Sequence, residues 1–280
     1  MRLGRSVDMK TPKPSGHPVD NRRYQQWLAE FSTYANAVTR GSIELWLQQF
    51  GESQDLAARL LDSVYFATSE HIRNTFRTLL NSIDGWSRDE SSRRGRFFFI
   101  AFSGSAGESG DRMLHEFRLA NNLANRQFDA MFVQRSQLVI LRPGPQDTVV
   151  FIDDFAATGT QACTSWKEFF AELVAERPRI FLMLVAATTA AVARIQSETE
   201  MAVSAGRHLG DADNFFSERC THFSADEKEA VLTYCRRAST KYPKGWGELG
   251  ALVVFQHRCP NSSIAVLHSE SSRWDPLFRR

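Results

Sequence analysis

The sequence predicts an α/β fold, an open and mainly parallel sheet flanked by helices, with an N-terminal helical region ahead of it. Three observations carry this expectation. From residue 96 onward, short apolar runs rich in Val, Ile and Phe alternate with helical stretches, the pattern of parallel strands covered on both faces. Small-residue turns follow two of these runs, where such a sheet carries its ligand loops. Between residues 21 and 84 the periodicity is helical instead. Composition agrees. Apolar residues make up 42% of the 280, including 21 Phe and 6 Trp, enough for a sizeable core. That excludes a disordered chain and a disulfide-stapled miniprotein. With 34 basic and 32 acidic side chains the net charge is +2, which argues against a protein whose main task is coating nucleic acid.

Each element can be justified in chain order. Residues 1–20 hold prolines, glycines and no apolar period, and read as a flexible tail. Residues 21–90 read as a helical region. Trp27, Phe31, Tyr34 and Val38 recur at spacings of three to four, on one helix face. SIELWLQQF follows, with Ser42 as the expected N-cap, and then DLAARLLDSVYF and SEHIRNTFRTLLNSI carry helical stripes. The polar stretch 87–96 marks the joint with an α/β domain spanning 91–280. There, strands are expected over Arg96–Phe102, Thr148–Phe155 and Arg179–Ala187, with a weaker one over Met131–Leu141 and a last one within 247–258. Helices are expected behind the first strand, after 160, behind 187 and over Ala225–Ala238. There is no internal repeat.

The first residues lack an apolar core of the kind a secretory signal needs. The longest uncharged apolar run, Ile180–Ala193, is shorter than the roughly 20 residues of a membrane helix. Cys163, Cys220, Cys235 and Cys259 are widely spaced and read as reduced thiols. Cys220, His222, Cys235, His257 and Cys259 have the chemistry of zinc ligands, but their spacing fits no common structural zinc pattern. The expectation is a cytoplasmic protein with no membrane partner.

The most informative stretch is VVFIDDFAATGTQ, Val149 to Gln161. An apolar strand ends in two aspartates, Asp153 and Asp154. Small residues from Ala156 to Thr160 then lead into a helix. A loop of small residues lets the backbone approach an anion, and free N–H groups at the helix start suit a phosphate. Thr158 and Thr160 add hydroxyl donors. The two carboxylates can accept hydrogen bonds from vicinal hydroxyls or help to hold Mg²⁺. Donors for phosphate beside acceptors for a diol describe a ribose 5-phosphate site. One strand–helix unit earlier, the loop from Ser103, Gly104, Ser105, Ala106 and Gly107 to Gly110 offers further donors to phosphate oxygens. It contains Glu108 and no Arg or Lys, the nearest positive side chain being Arg112.

The stretch resembles the phosphoribosyl-pyrophosphate (PRPP) motif of type I phosphoribosyltransferases: apolar strand, two acidic residues, two variable residues, then a small-Thr-Gly-Thr loop. By that resemblance Asp153 and Asp154 face the ribose hydroxyls as the catalytic pair and serve as ligands of a Mg²⁺ cofactor. Ala156, Ala157, Thr158, Gly159, Thr160 and Gln161 surround the 5-phosphate, and Ser103–Gly107 takes the position of the pyrophosphate loop. From about residue 42 onward the chain is similar to a narrower bacterial group, phosphoribosyltransferase-like proteins of conflict and antiphage systems, some associated with retrons. The residues carrying this are Trp46-Leu47-Gln48-Gln49-Phe50, Leu60-Leu61 with Tyr65-Phe66, GELGALVVFQHRCPNSSIAVL, and Trp274-Asp275-Pro276-Leu277-Phe278-Arg279. The resemblance implies an antiphage effector that binds PRPP or a nucleotide, with a reverse transcriptase–nucleic acid complex as its partner, and a homo-oligomer through outer helices. The alternative is a non-catalytic nucleotide or PRPP sensor acting through its helical region. The loop Cys259–Ser263 reads equally as a turn after the last strand or as a border of the ligand site.

Other chemistries find no pattern. None of the seven histidines lies in a nucleophile motif, GxSxG is absent, and no glycine loop ends in Gly-Lys-Ser/Thr. The basic clusters Arg93-Arg94-Arg96, Arg236-Arg237 and Arg279-Arg280 are short enough to be solvated surface.

Overall fold

A computed structural model describes residues 19–102, 109–174 and 177–280. The expected tail falls almost wholly outside them, except that Asp20 accepts the Arg23 N–H as the N-cap of the first helix. The chain forms two compact units. One comprises residues up to Thr68 together with Asp211–Arg280, and the other is Ser69–Gly210. The division therefore does not coincide with the 90/91 joint expected from the polar stretch.

The unit Ser69–Gly210 holds a four-stranded, fully parallel sheet. Its strands lie in the sequential order β2 (Phe97–Ala101), β3 (Thr148–Ala156), β4 (Arg179–Thr188) and β5 (Ala202–Leu209). Side chains alternate between the two faces of a strand. On one face Phe102, Phe151 and Phe170 stack with centroids 4.3–5.5 Å apart, joined by Trp166, Leu182 and Ile195. On the other, Phe99 meets Phe117 of helix Ser109–Ala120 at 4.8 Å, and Phe117 meets Phe76 of helix Ser69–Asn81 at 5.8 Å. Arg73 bonds the buried Glu116 carboxylate between these helices at 2.6 Å. Burial on both faces explains why β3 and β4 read as continuous apolar runs.

A buried carboxylate pins the start of β2 to that of β3. Asp147 accepts from the Arg96 backbone N–H (3.0 Å), from Arg96 Nε (3.2 Å) and Nη2 (2.6 Å), and from the Gly144 N–H (2.8 Å). Burial pushes the Asp147 carboxyl up, but the Arg96 guanidinium and these donors outweigh it and hold it below its ordinary value. With Thr148 N donating to Arg96 O at 2.8 Å, the register of the two strands is set at their first residues.

Two expectations are corrected in this unit. Met131–Leu141 is not a strand: 3₁₀ turns at Arg126–Met131 and Arg135–Gln137 run into a single helical turn, Leu138–Leu141. A lone parallel bridge, Phe99 to Phe132, is all the β pairing it makes among the described residues. Its buried side chains, Met131, Val133 and Leu138, do not sustain a two-residue alternation along the segment. Conversely, β5 was not foreseen. AVSAGRHL is an edge strand, half exposed and poor in β-branched residues, so it lacks the compositional signal of a strand.

The other unit gathers helices Asn21–Phe31, Arg40–Gln48, Gln54–Asp62 and Ala225–Ala238 around a short parallel pair, β1 (Tyr65–Ala67) with β6 (Val253–Phe255). Thus Tyr65-Phe66 forms a strand instead of extending a helix, and the last strand pairs with β1, not with the four-stranded sheet. Thr39, not Ser42, caps the second helix, and Ser42 returns the bond to the Thr39 N–H as the other half of a capping box. The aromatic anchors at the two ends of the sequence meet here. Trp274 lies 5.0 Å from Phe50 and 6.5 Å from Trp46, and both indole N–H groups donate to the Val266 carbonyl, at 2.8 and 3.0 Å. Phe278 packs edge-on to Phe31 at 5.0 Å. Cys220, Cys235 and Cys259 are buried thiols in this core, and burial pushes Cys235 and Cys259 up to about 12. Among the described residues no group of three His, Cys, Asp or Glu side chains is placed to hold a metal. Nor is any described helix long and apolar enough to cross a membrane.

His268 is half-buried beside the Ser263 carbonyl, 3.0 Å from Nε2, and desolvation lowers its pKa from 6.5 to about 4. The unfolded chain therefore binds a proton that the folded chain refuses between those values, so stability falls as pH drops from 6.5 toward 4. At pH 5 the loss amounts to about 2 kcal/mol from this residue. Denaturant unfolding at pH 7 and pH 5 should show it, and His268→Gln should flatten the difference.

Candidate functional site

The parallel register brings the carboxyl ends of β2, β3 and β4 to one edge of the sheet, and β3 delivers both aspartates there. Asp153 pairs with Leu184 of β4, and alternation sends it toward the Phe151 face while Asp154 points with Val150 and Ile152. Both are buried, with relative exposures of 8% and 1%. Asp153 Oδ1 accepts from the Ser109 hydroxyl at 3.0 Å and from the Asp154 backbone N–H at 2.9 Å. Ser109 opens the helix behind β2, so the side chain that steadies the first aspartate comes from the neighbouring strand–helix unit. A carboxylate taken out of water needs such donors to remain charged.

Beyond Ala156 the chain turns through Ala157 and Thr158 into a helical run from Thr160 to Leu173, which includes a π turn at Trp166–Phe170. Gly159 makes the turn. Its φ of +71° is left-handed, and a Cβ there would lie 3.1 Å from the Ala191 carbonyl and from Ile195 Cγ1. Only glycine fits both constraints. The loop is fixed from behind by β4 and its following helix, Thr189–Glu198. Thr188 donates to the Ala157 carbonyl at 2.7 Å while accepting from the Ala191 N–H at 2.9 Å as that helix's cap. The Thr158 hydroxyl donates to Thr160 Oγ1 at 3.0 Å. Gln161 is exposed on the first turn of the helical run.

Motif reading does not identify Thr188, Arg194, or the Lys167 and Glu198 that hold Arg194. Arg194 Nη1 donates to Thr160 Oγ1 at 2.8 Å and approaches the Thr158 carbonyl at 3.4 Å. Its Nε binds Glu198 at 2.8 Å, and Lys167 binds the other Glu198 oxygen at 2.9 Å. Lys167 and Arg194 together hold the Glu198 carboxyl down to about 2, so this carboxylate stays ionised at any physiological pH. The one advance signal was the Arg–Glu pair four residues apart on a predicted helix.

Asp153 and Asp154 thus converge on one strand end, and Ala156, Ala157, Thr158, Gly159, Thr160 and Gln161 form one turn beside them. Ser103, Gly104, Ser105, Ala106 and Gly107 lie outside the described residues; their neighbours Phe102 and Ser109 bond Ile152 O and Asp153. The loop Cys259–Ser263 is tied within its own unit, Ser263 Oγ donating to the Val253 carbonyl at 2.7 Å.

A family model, PRTase-CE, matches residues 43–280. The chain belongs to the PRTase-CE family. It is therefore phosphoribosyltransferase-like, and the α/β architecture with N-terminal helices is the fold that goes with that family. The PRTase-CE match takes in most of both compact units, from the second helix to the C-terminus. No curated protein matches the chain.

Replacing Gly159 by alanine should cost about 1–3 kcal/mol of stability, since it forces a side chain into a left-handed conformation against the Ala191 carbonyl. Chemical denaturation measures this directly. Gly144→Ala, with open space around it, should cost much less.

Proposed function

We propose that this PRTase-CE protein binds PRPP, or a related ribose 5-phosphate or nucleotide, at the edge formed by Asp153, Asp154 and the turn Ala156–Gln161. The observation that carries the reading is the juxtaposition of two buried carboxylates with a glycine turn opening a helical run. The carboxylates accept from sugar hydroxyls, and the turn donates backbone and hydroxyl N–H and O–H groups to the phosphate. The donor chemistry also fits Mg²⁺, which commonly takes one or two carboxylates and completes its shell with water and ligand phosphates. Asp153 and Asp154 would hold it, and it would supply charge neutralisation for the pyrophosphate.

In the transferase form of the reading, the bond between ribose C1 and the pyrophosphate oxygen breaks and its electron pair leaves with pyrophosphate. A nitrogen or oxygen nucleophile of the acceptor supplies the new pair and releases its proton to solvent. Catalysis then comes chiefly from orientation and charge stabilisation. A role as a bacterial antiphage effector, in the cytoplasm and with a reverse transcriptase–nucleic acid partner, is supported by the resemblance of the anchors Trp46–Phe50 and Trp274–Arg279. Pairing of two copies through outer helices belongs to the same proposal.

One observation favours the sensor alternative. The segment leading into β3 is built into the unit: Leu138 is fully buried and Asp147 clamps Gly144 and Arg96. A chain so held is poorly suited to close over a reacting centre as a lid.

Calorimetry with PRPP and Mg²⁺ tests the site. Asp153→Asn and Asp154→Asn should each weaken binding by about tenfold or more, the scale of a lost charge-assisted contact. Unchanged affinity in both would sink the reading. Release of pyrophosphate on adding nucleobases or nucleic acid separates transferase from sensor, which should bind without releasing any.

A further inference from the structure

Resting on the ribose 5-phosphate reading of this site, a further residue can be given a role. We propose that Arg194 is the cation that neutralises the ligand's phosphate, with Glu198 and Lys167 holding it in position. The turn Ala156–Gln161 contains no charged side chain, and the two aspartates beside it bring two negative charges. A phosphate dianion placed there on backbone donors alone would have no positive side chain of the turn beside it. Arg194 reaches the turn from the helix behind β4. Its guanidinium Nη1 lies 2.8 Å from Thr160 Oγ1, the hydroxyl that opens the helical run. Thr160 Oγ1 also receives the Thr158 hydroxyl, so two donors are aimed at its oxygen and its own hydrogen can be offered to a further acceptor. Any oxygen bound by the Thr160 hydroxyl sits one hydroxyl away from the guanidinium.

The rest of the arrangement is what a phosphate-binding arginine needs. Arg194 is 41% exposed, so its unused guanidinium hydrogens face solvent at the loop and are not sealed in the core. Glu198 grips Nε at 2.8 Å and so fixes the plane of the fork. Lys167 grips the other Glu198 oxygen at 2.9 Å, which cancels the charge of the carboxylate. The triad carries a net charge of +1, from two cations and one anion, and presents the guanidinium toward the turn. Arginine suits the task because its planar fork offers several donors at once to phosphate oxygens.

Ribose 5-phosphate titrated calorimetrically into the wild type, Arg194→Gln and Arg194→Lys, each at low and high salt, decides the matter. The glutamine variant should bind about 10–100-fold more weakly, and its residual affinity should lose most of the salt dependence seen in the wild type. The lysine variant keeps the charge, so it should recover much of the affinity and keep the salt dependence. Equal affinity of wild type and the glutamine variant overturns the role of Arg194 and leaves the site standing. Equal loss in both variants, accompanied by a matching drop in the melting temperature of the ligand-free protein, also overturns it, because Arg194 would then be only a strut for the turn. A wild type that binds no ribose 5-phosphate overturns the site reading itself and the inference with it.

Discussion

Everything at the candidate site depends on one constraint, the placing of two adjacent carboxylates at the end of a strand buried on both faces. β3 lies between β2 and β4, and its Val149–Ile152 segment is completely enclosed. A chain so buried has no water to solvate charge at its end, so the fold must supply donors locally. It does so for Asp153 through Ser109 and the Asp154 N–H. A third buried carboxylate, Asp147, lies just ahead of the strand's first residue, with four donated bonds from Arg96 and Gly144. That one is closed upon itself and sets register. Asp153 and Asp154 lie instead at the edge where the sheet opens toward its loops, the position at which parallel α/β sheets bind ligands.

How much of this could be read from the sequence follows from how local each feature is. Strand β3, its two aspartates and the turn after it are specified by contiguous residues, and all were legible. β4 was legible for the same reason, being apolar throughout. β5 was not, because an edge strand needs apolar residues on little more than one side and tolerates Gly206, Arg207 and His208. The segment 131–141 misled because LVIL is apolar and β-branched, yet its pairing partner offers only the bridge at Phe132. Thr188 and Arg194 escaped because they act on a turn about 30 positions earlier, a distance that only the β3–β4 register closes.

The unit boundaries show the same limit from another side. A polar, charged stretch at 87–96 looks like a joint, but Gly85 and Arg94 bond each other across it and the Asp84 carbonyl accepts from Arg179. It is a surface excursion of the sheet unit. The actual grouping joins residues before 69 with residues after 210, through the indoles of Trp46 and Trp274 on the Val266 carbonyl, with Phe50 packed against Trp274, and through β1 with β6. No local compositional rule anticipates a unit assembled from the two ends of a chain. The resemblance that linked those anchors in order along the sequence did so without saying that they touch.

The near-balance of charge is also explained locally. A protein with 34 basic and 32 acidic residues has no general attraction for a phosphorylated ligand. On the reading proposed here it needs none, because a phosphate would meet a glycine turn, two threonine hydroxyls and one oriented guanidinium, and a sugar would meet carboxylates. Fixed donors and a single placed charge discriminate by geometry, whereas a broad basic surface attracts any polyanion and is weakened by salt. The Lys167–Glu198–Arg194 triad illustrates the economy of that solution. Its outer lysine and central glutamate cancel each other and add nothing to the long-range field, yet they decide where the remaining positive charge points.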